Sequence, residues 1–354
     1  MSDQRITVLH LVNTLEFGGV YRHVMDLASG LSAYGIHSVF AAWAPPESPL
    51  HDDTRFTQLP LYRGDSRNRS LPGILRSPGM IRSIIRRENV DILHSHSRLA
   101  AMLSAAAIPL LPGVRRLHTV HTNFNDLRLF PFYPREMIAV SEGLASAFRA
   151  RMRFVRGSRI NVIHNGITLP GDRVEADPTT EFLFVGRLVE QKGVPLLLEA
   201  LDRIDPGDAI SVRICGDGPL WQEVRTAADR GSPITYEGFC THPFKRTGKA
   251  LALLFPSDAL EGLGYVVLEA FAHGIPVIAN DIPVLRGLVD HARTGVIVLE
   301  PTPEAWVKAL REAVRHADDM RAMGQRGKET VASLYRMDAM IQKTAAVYRR
   351  LFGE

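Results

Sequence analysis

The sequence predicts an α/β protein of two domains, each a doubly wound parallel sheet. Three observations carry that prediction. The chain has 354 residues, which at roughly 100–200 residues per domain suggests two. Short strand-like runs alternate with helix-like runs in two separate series, the pattern of parallel sheets covered on both faces. Between the series, residues 166–181 (GITLPGDRVEADPTTE) are rich in Gly, Pro and charge and read as a linker.

The first series opens with RITVLHLVN (residues 5–13), a buried strand of Val, Leu and Ile that ends in a polar loop. That loop, from Thr14 to Gly19, leads into a helical pattern from Val20 to about Ala33. Strand-like runs follow at 36–42, 90–95, 115–120, 136–140 and 160–164, with helix-like runs at 73–87, 98–108 and 142–153. In the second series EFLFVGR (181–187) is a strand, 193–204 a helix, 209–215 a strand and 219–230 a helix. Strands near 233–237 and 251–255, a helix at 265–273 and strands at 275–279 and 295–299 complete it. From residue 303 onward the pattern is helical only. The domains therefore fall at 1–168 and 169–335, with a C-terminal helix at 336–354 packing back on the first. Facing sheets leave a cleft at their strand C-termini, where ligands of such sheets bind, so functional residues belong on the loops there.

Composition narrows the class. Hydrophobic residues make up 45% and charged ones 23%, enough apolar surface to build a core and to exclude a mainly disordered chain. Cys215 and Cys240 are too few for a disulfide framework or a thiolate zinc site and read as packing residues of a protein in a reducing, cytoplasmic setting. The N-terminal apolar run is too short for a signal peptide, and no stretch nears the ~18 apolar residues of a spanning helix. The net charge of +4 hides an asymmetry: residues 1–176 carry 21 Arg and no Lys against 14 Asp+Glu, the remainder 21 Lys+Arg against 24. Arg82, Arg86 and Arg87 form one basic run, and Arg149, Arg151, Arg153, Arg156 and Arg159 another. A solvated face explains such runs; the functional reading is a surface that meets anionic lipid or an anionic acceptor, at the inner face of a membrane. No nucleic-acid-binding motif accompanies the charge, so nucleic acid is not an expected partner.

The strongest motif is Glu261-Gly262-Leu263-Gly264-Tyr-Val-Val-Leu-Glu269. It follows a predicted strand, and its glycines stand at the mouth of a helix whose free N–H groups suit an anion. A carboxylate only accepts hydrogen bonds, so Glu261 and Glu269 suit the hydroxyls of a sugar or ribose ring. Arg187 and Lys192, in VGRLVEQKG, flank a turn after the first strand of the second series, where two cations can reach one diphosphate. Fixed cations there lower the barrier for a departing nucleotide diphosphate. No Asp-x-Asp occurs in the chain, so a metal bound through that motif is not expected. Gly18 and Gly19 (EFGGV) can bring backbone N–H groups against phosphate, but without the third glycine of a dinucleotide fingerprint, which disfavours a dehydrogenase. His94, His96, His118 and His121 end two predicted strands. A four-histidine metal site is conceivable there, but no carboxylate supports it, and packed structural histidines are the simpler reading.

Together these residues resemble the family 4 retaining glycosyltransferases, which have the GT-B architecture of two Rossmann-like domains facing each other across a cleft. The resemblance runs from the glycine pair to at least Gly295. It implies that Glu261 contacts the transferred sugar, that Glu269 holds the nucleotide ribose, and that Arg187 and Lys192 bind the donor phosphates. Gly18, Gly19, Gly262, Leu263 and Gly264 would line the donor, and His121 would line the sugar face. His96 is commonly structural. Where the family usually has Glu-Arg after the glycine pair, this chain has Tyr21-Arg22, which removes an acidic group from the acceptor side. Glu16, Arg22 and Asp126 are then the acceptor-side candidates. The resemblance further implies a nucleotide-sugar donor, with UDP-linked sugars the commonest in the family, no metal, and an acceptor hydroxyl on a saccharide, lipid-linked saccharide or small metabolite. Asn165-Gly166-Ile167 and Ser141-Glu142-Gly143 match softer family loops, for which turn chemistry alone suffices. Gly216-Asp217-Gly218-Pro219 matches a loop that shapes the nucleotide pocket. The aromatic, Arg-containing stretch 124–134 suits an acceptor pocket, a membrane contact or a loop folded on the core. A nucleotide-sugar epimerase or a non-catalytic membrane-associated scaffold would use the same architecture, but the paired glutamates with Arg187 and Lys192 argue against both.

Overall fold

The computed structural model describes residues 5–15, 18–45, 48–62, 69–122, 132–151, 159–170, 180–246, 250–258, 264–282, 285 and 288–353. The chain divides into two compact units, Met1–Gly166 with Met337–Glu354, and Ile167–Arg336.

In the first unit the strands are β1 (Ile6–Thr14), β2 (Ile36–Trp43), β3 (Phe56–Gln58), β4 (Ile92–Ser95), β5 (Arg115–Val120), β6 (Glu136–Ala139) and β7 (Arg159–Val162). They form one parallel sheet in the order β3-β2-β1-β4-β5-β6-β7. The helices are α1 (Gly19–Leu31), α2 (Leu71–Arg87), α3 (Arg98–Ala107), α4 (Glu142–Arg151) and the C-terminal α11 (Met337–Phe352). Strand alternation sorts β1 between two cores. Leu9 and Leu11 pack with Ile81, Ile84 and Leu103 of α2 and α3. Ile6 and Val8 pack on the other face with Leu27 and Leu31 of α1 and Met340, Ile341 and Tyr348 of α11. Helix starts follow capping chemistry: the Ser70 and Ser97 hydroxyls accept from Gly73 and Ala100 N–H.

The second unit repeats the plan with β8 (Glu181–Val185), β9 (Ser211–Cys215), β10 (Ile234–Gly238), β11 (Ala252–Phe255), β12 (Val277–Asn280) and β13 (Gly295–Val298), parallel in the order β10-β9-β8-β11-β12-β13. Its helices are α5 (Val194–Leu201), α6 (Trp221–Asp229), α7 (Pro243–Arg246), α8 (Tyr265–Ala272), α9 (Pro303–Arg315) and α10 (Ala317–Leu334). Phe182, Leu197, Val212 and fully buried Trp306 share its core.

The strands and helices read from the pattern are present, with ends displaced by a few residues. Two elements are additional, β3 and α7, with three and four residues, too short to show a period. Strand order reverses between β1 and β4 in one sheet and between β8 and β11 in the other, and ligands of doubly wound sheets sit at such reversals. Among the described residues, no helix is long and apolar enough to cross a membrane.

Candidate active site

In the second unit the loops after β8, β9 and β11 are knit together by their backbones. Gly186 N–H donates to Cys215 O (3.1 Å), Leu188 N–H to Asp217 O (2.9 Å) and Asp258 N–H to Gln191 O (3.0 Å). Glycine is required at their crossings. Gly193 has φ +70, and a side chain there would run into Pro256, whose carbonyl carbon lies 2.7 Å from the Cβ position. Gly216 likewise sits against the Gly186 carbonyl. Arg187 is exposed at the start of the β8 loop and Lys192 half-buried at its end. Lys192 Nζ stands 5.7 Å over the Phe255 ring, and the same ring lies 3.3 Å from the Cβ position of Gly264, which caps α8. One phenyl ring thus gathers Lys192 and the α8 N-terminus. Glu269 is half-buried in the second turn of α8, where its carbonyl accepts from His273 Nδ1 (2.8 Å).

The loop after β11 is held from behind. Buried Asn280, at the end of β12, donates from Nδ2 to Pro256 O (2.7 Å) and Ser257 O (3.3 Å) and accepts at Oδ1 from Trp306 Nε1 (3.0 Å). Cys215 is buried, which pushes its thiol up to about 12. Cys240 is only half-buried, so of the two cysteines read as buried packing only Cys215 is buried.

In the first unit Gly18 and Gly19 are exposed at the start of α1, whose first turn has neither side-chain cap nor acidic residue. Arg22 pairs with Asp26 at 3.4 Å one turn on. His121 follows β5 and joins a buried cluster that is larger than the sequence reading. Ser38 Oγ is 3.2 Å from His10 Nε2, His10 Nδ1 3.1 Å from His96 Nε2, and His96 Nδ1 3.3 Å from His121 Nε2. His23 on α1 lies edge-on to His121, ring centres 4.7 Å apart, with its Nδ1 3.1 Å from Asn165 Oδ1. His94 joins Tyr348 of α11 (2.6 Å) to Thr119 (2.7 Å). His118 stands apart, 2.9 Å from Ser95 Oγ and against the Tyr133 ring.

Burial holds these imidazoles neutral: His10 and His118 titrate at about 3 and His23 at about 4, and His94, His96 and His121 lie well below their usual range. The nitrogens of His10, His94 and His96, and of His23, His96 and His121, lie within 4.8 Å of one another. Both nitrogens of His10, His94 and His96 already face a hydrogen-bonding partner, so the network itself accounts for the cluster. Asn165 is not plain turn chemistry: it is buried and holds His23. Ser141 is, with its hydroxyl accepting from Leu144 N–H at the start of α4. His10, His23 and Ser38 were not singled out from the sequence. The one available signal was a histidine inside an otherwise apolar strand. Glu16, Asp126, Glu261, Gly262 and Leu263 lie outside the described residues, as does most of 124–134.

Comparison with known proteins places this geometry. Residues 17–169 match the family described as Glycosyltransferase Family 4, and residues 170–330 match Glycosyl transferases group 1. The chain is 26% identical over 362 residues to the phosphatidyl-myo-inositol mannosyltransferase of Mycobacterium tuberculosis, covering 95% of this chain and 94% of that one. It is 25% identical over 388 residues to the alpha-maltose-1-phosphate synthase of Mycolicibacterium smegmatis, covering 95% and 96%. Among solved structures, sucrose-phosphate synthase of Thermosynechococcus elongatus superposes with a TM-score of 0.81 at 19% identity, over 98% of this chain and 99% of that one. Anabaena HepE, in complex with UDP and glucose, gives 0.79 at 16%, over 98% and 100%. With residues 17–169 and 170–330 both matched and two doubly wound parallel sheets beneath them, the chain belongs to the family 4 glycosyltransferases of the GT-B fold.

Proposed function

We propose that this glycosyltransferase moves a hexose from a UDP-sugar to an acceptor hydroxyl, with retention at the anomeric carbon and without a metal ion. The observation that carries the reading is the shared Phe255 ring, which sets a fixed cation, Lys192, beside the N-terminus of α8. Such a pair stabilises a diphosphate as it departs, with Arg187 on the same loop as the second cation. Glu261 orients the sugar, Glu269 the ribose, and His121 lines the sugar face. The acceptor attacks the face from which the diphosphate leaves, and the leaving phosphate takes its proton; Glu16, Arg22 and Asp126 serve the acceptor side. HepE, solved with UDP and glucose, supports uracil as the base. The acceptor is a saccharide, a lipid-linked saccharide or a small metabolite, met in the cytoplasm. Leu71 and Leu75, 65% and 72% exposed one turn apart on α2 beside exposed Arg76, support peripheral contact with an anionic membrane.

A thermal-shift panel of UDP, GDP, ADP and their sugar conjugates, in EDTA, tests this. A ligand at 100 times its Kd adds about 2.7 kcal/mol to the native state. UDP and one UDP-sugar are expected to raise Tm in wild type and not in Glu269→Ala. A response to GDP alone reassigns the base, a response only with added divalent metal removes the metal-free reading, and no response to any nucleotide counts against the whole proposal.

A further inference from the structure

The histidine chain that ends at His121 has a direction, and that direction sets what His121 can offer a substrate. A neutral imidazole has one N–H and one acceptor nitrogen, so in the row Ser38–His10–His96–His121 the choice at one member dictates all the others. Two arrangements exist. In one, His121 Nε2–H donates to His96, His96 to His10, and His10 to Ser38 Oγ. The Ser38 proton then needs another acceptor. Ser38 is buried, and His10 is its one hydrogen-bond partner among the described residues. In the other, Ser38 O–H donates to His10 Nε2, His10 Nδ1–H to His96 Nε2, and His96 Nδ1–H to His121 Nε2. Every buried donor is then satisfied, and the remaining N–H falls on His121 Nδ1. That atom has no protein partner among the described residues, and its residue is the most exposed of the row at 9%. Buried donors are left unsatisfied more rarely than acceptors, which selects the second arrangement.

We infer that Ser38, His10 and His96 are positioning residues that lock His121 as the neutral Nδ1–H tautomer, so that it meets the substrate as a hydrogen-bond donor. The ring then donates an N–H hydrogen bond to an oxygen lone pair of the bound sugar and cannot act as a base through Nδ1. Burial supports this by keeping the whole row uncharged. The locked tautomer is also the opposite of the Nε2–H form that free histidine favours in water, which makes it diagnostic. The assignment of His121 to the sugar rests on the function proposed above; its tautomer does not.

Long-range ¹H–¹⁵N correlation spectra of protein carrying ¹⁵N-histidine, at pH 7.5, read the tautomer directly. A protonated Nδ1 and an unprotonated Nε2 on His121 are expected in wild type, and the reverse overturns the inference without any variant. In His96→Ala the donor to His121 Nε2 is gone, so His121 is expected to shift toward the Nε2–H form that free histidine favours and kcat to fall about 3–10-fold, with donor KM changing less than twofold. His96→Gln, whose amide can still donate, is expected to restore both. An unchanged His121 signal or unchanged kcat in His96→Ala overturns the positioning role. A wild-type protein with the Nδ1–H signal but no turnover of any nucleotide-sugar would instead count against the functional reading alone.

Discussion

Arg187 and Lys192 bear different relations to the fold, and that separates their chemistry from their contribution to stability. Arg187 is exposed on the loop after β8. Lys192 leans on Phe255, a cation–π contact worth roughly 0.5–1 kcal/mol at a partly exposed position. Neither residue belongs to a core cluster, so neither alanine variant is expected to move Tm by more than a few degrees. Against a departing diphosphate the same charges weigh far more, because preorganised donors aimed at developing charge are worth on the order of 10²–10³ in kcat. Arg187→Ala and Lys192→Ala are therefore expected to lose turnover by that factor while melting close to wild type, as steady-state kinetics and a thermal scan on the same preparations would show. Turnover within threefold of wild type in either variant removes that residue from the diphosphate site.

Between β11, β12 and α9, one amide side chain does the joining. Asn280 satisfies two backbone carbonyls of the Pro256–Ser257 turn and the Trp306 indole at once, all of them buried. Asn280→Ala leaves these groups without partners, and at about 1–3 kcal/mol for an unsatisfied buried group a loss of roughly 3 kcal/mol is expected in urea unfolding of the second unit. Trp306→Phe, which removes the indole donor and leaves a small cavity at a fully buried position, is expected to cost about 2–3 kcal/mol. Equal, small losses in both variants would mean the turn holds itself. This joint also shows what the sequence made legible. The alternation of β8, α5, β9 and α6 could be read because each element is amphipathic or continuously apolar over its own length. The β8 and β11 loops could be read because diphosphate and sugar chemistry demands Gly, Arg, Lys and Glu at close spacing. Asn280 at the end of an apolar strand carries no such mark, since its partners lie 24 and 26 residues away. His10 stands out only as a histidine in an apolar strand, and its role is hidden for the same reason: its partner His96 is 86 residues distant, and only the pairing of β1 with β4 makes them neighbours.

At the scale of the molecule, the first unit concentrates an acid sensitivity. It buries His10, His23, His94, His96, His118 and His121 within one sheet and its covering helices, and α11 is tied to that group through Tyr348 and His94. These histidines titrate near 6.5 when unfolded and far lower when folded, at about 3 for His10 and His118 and about 4 for His23. Between those values the unfolded chain binds protons that the folded chain refuses, so stability falls as pH falls. It is fully present above about pH 7 and is lost progressively below about 6.5. Each such histidine removes about 1.4 kcal/mol per pH unit, so His10, His23 and His118 together remove about 4. A unit of ordinary stability, about 5–15 kcal/mol, is therefore expected to unfold by about pH 4 and to release α11 as it does. Urea midpoints measured at half-unit steps from pH 7.5 to 5, with His118→Gln beside wild type, test the origin of the slope. Wild-type stability should be level above pH 7 and then fall, while the variant, already weaker from its altered core, should fall less steeply by about 1.4 kcal/mol per pH unit. A wild-type profile that is flat from pH 7 to 5 would mean that these imidazoles accept protons in the folded state.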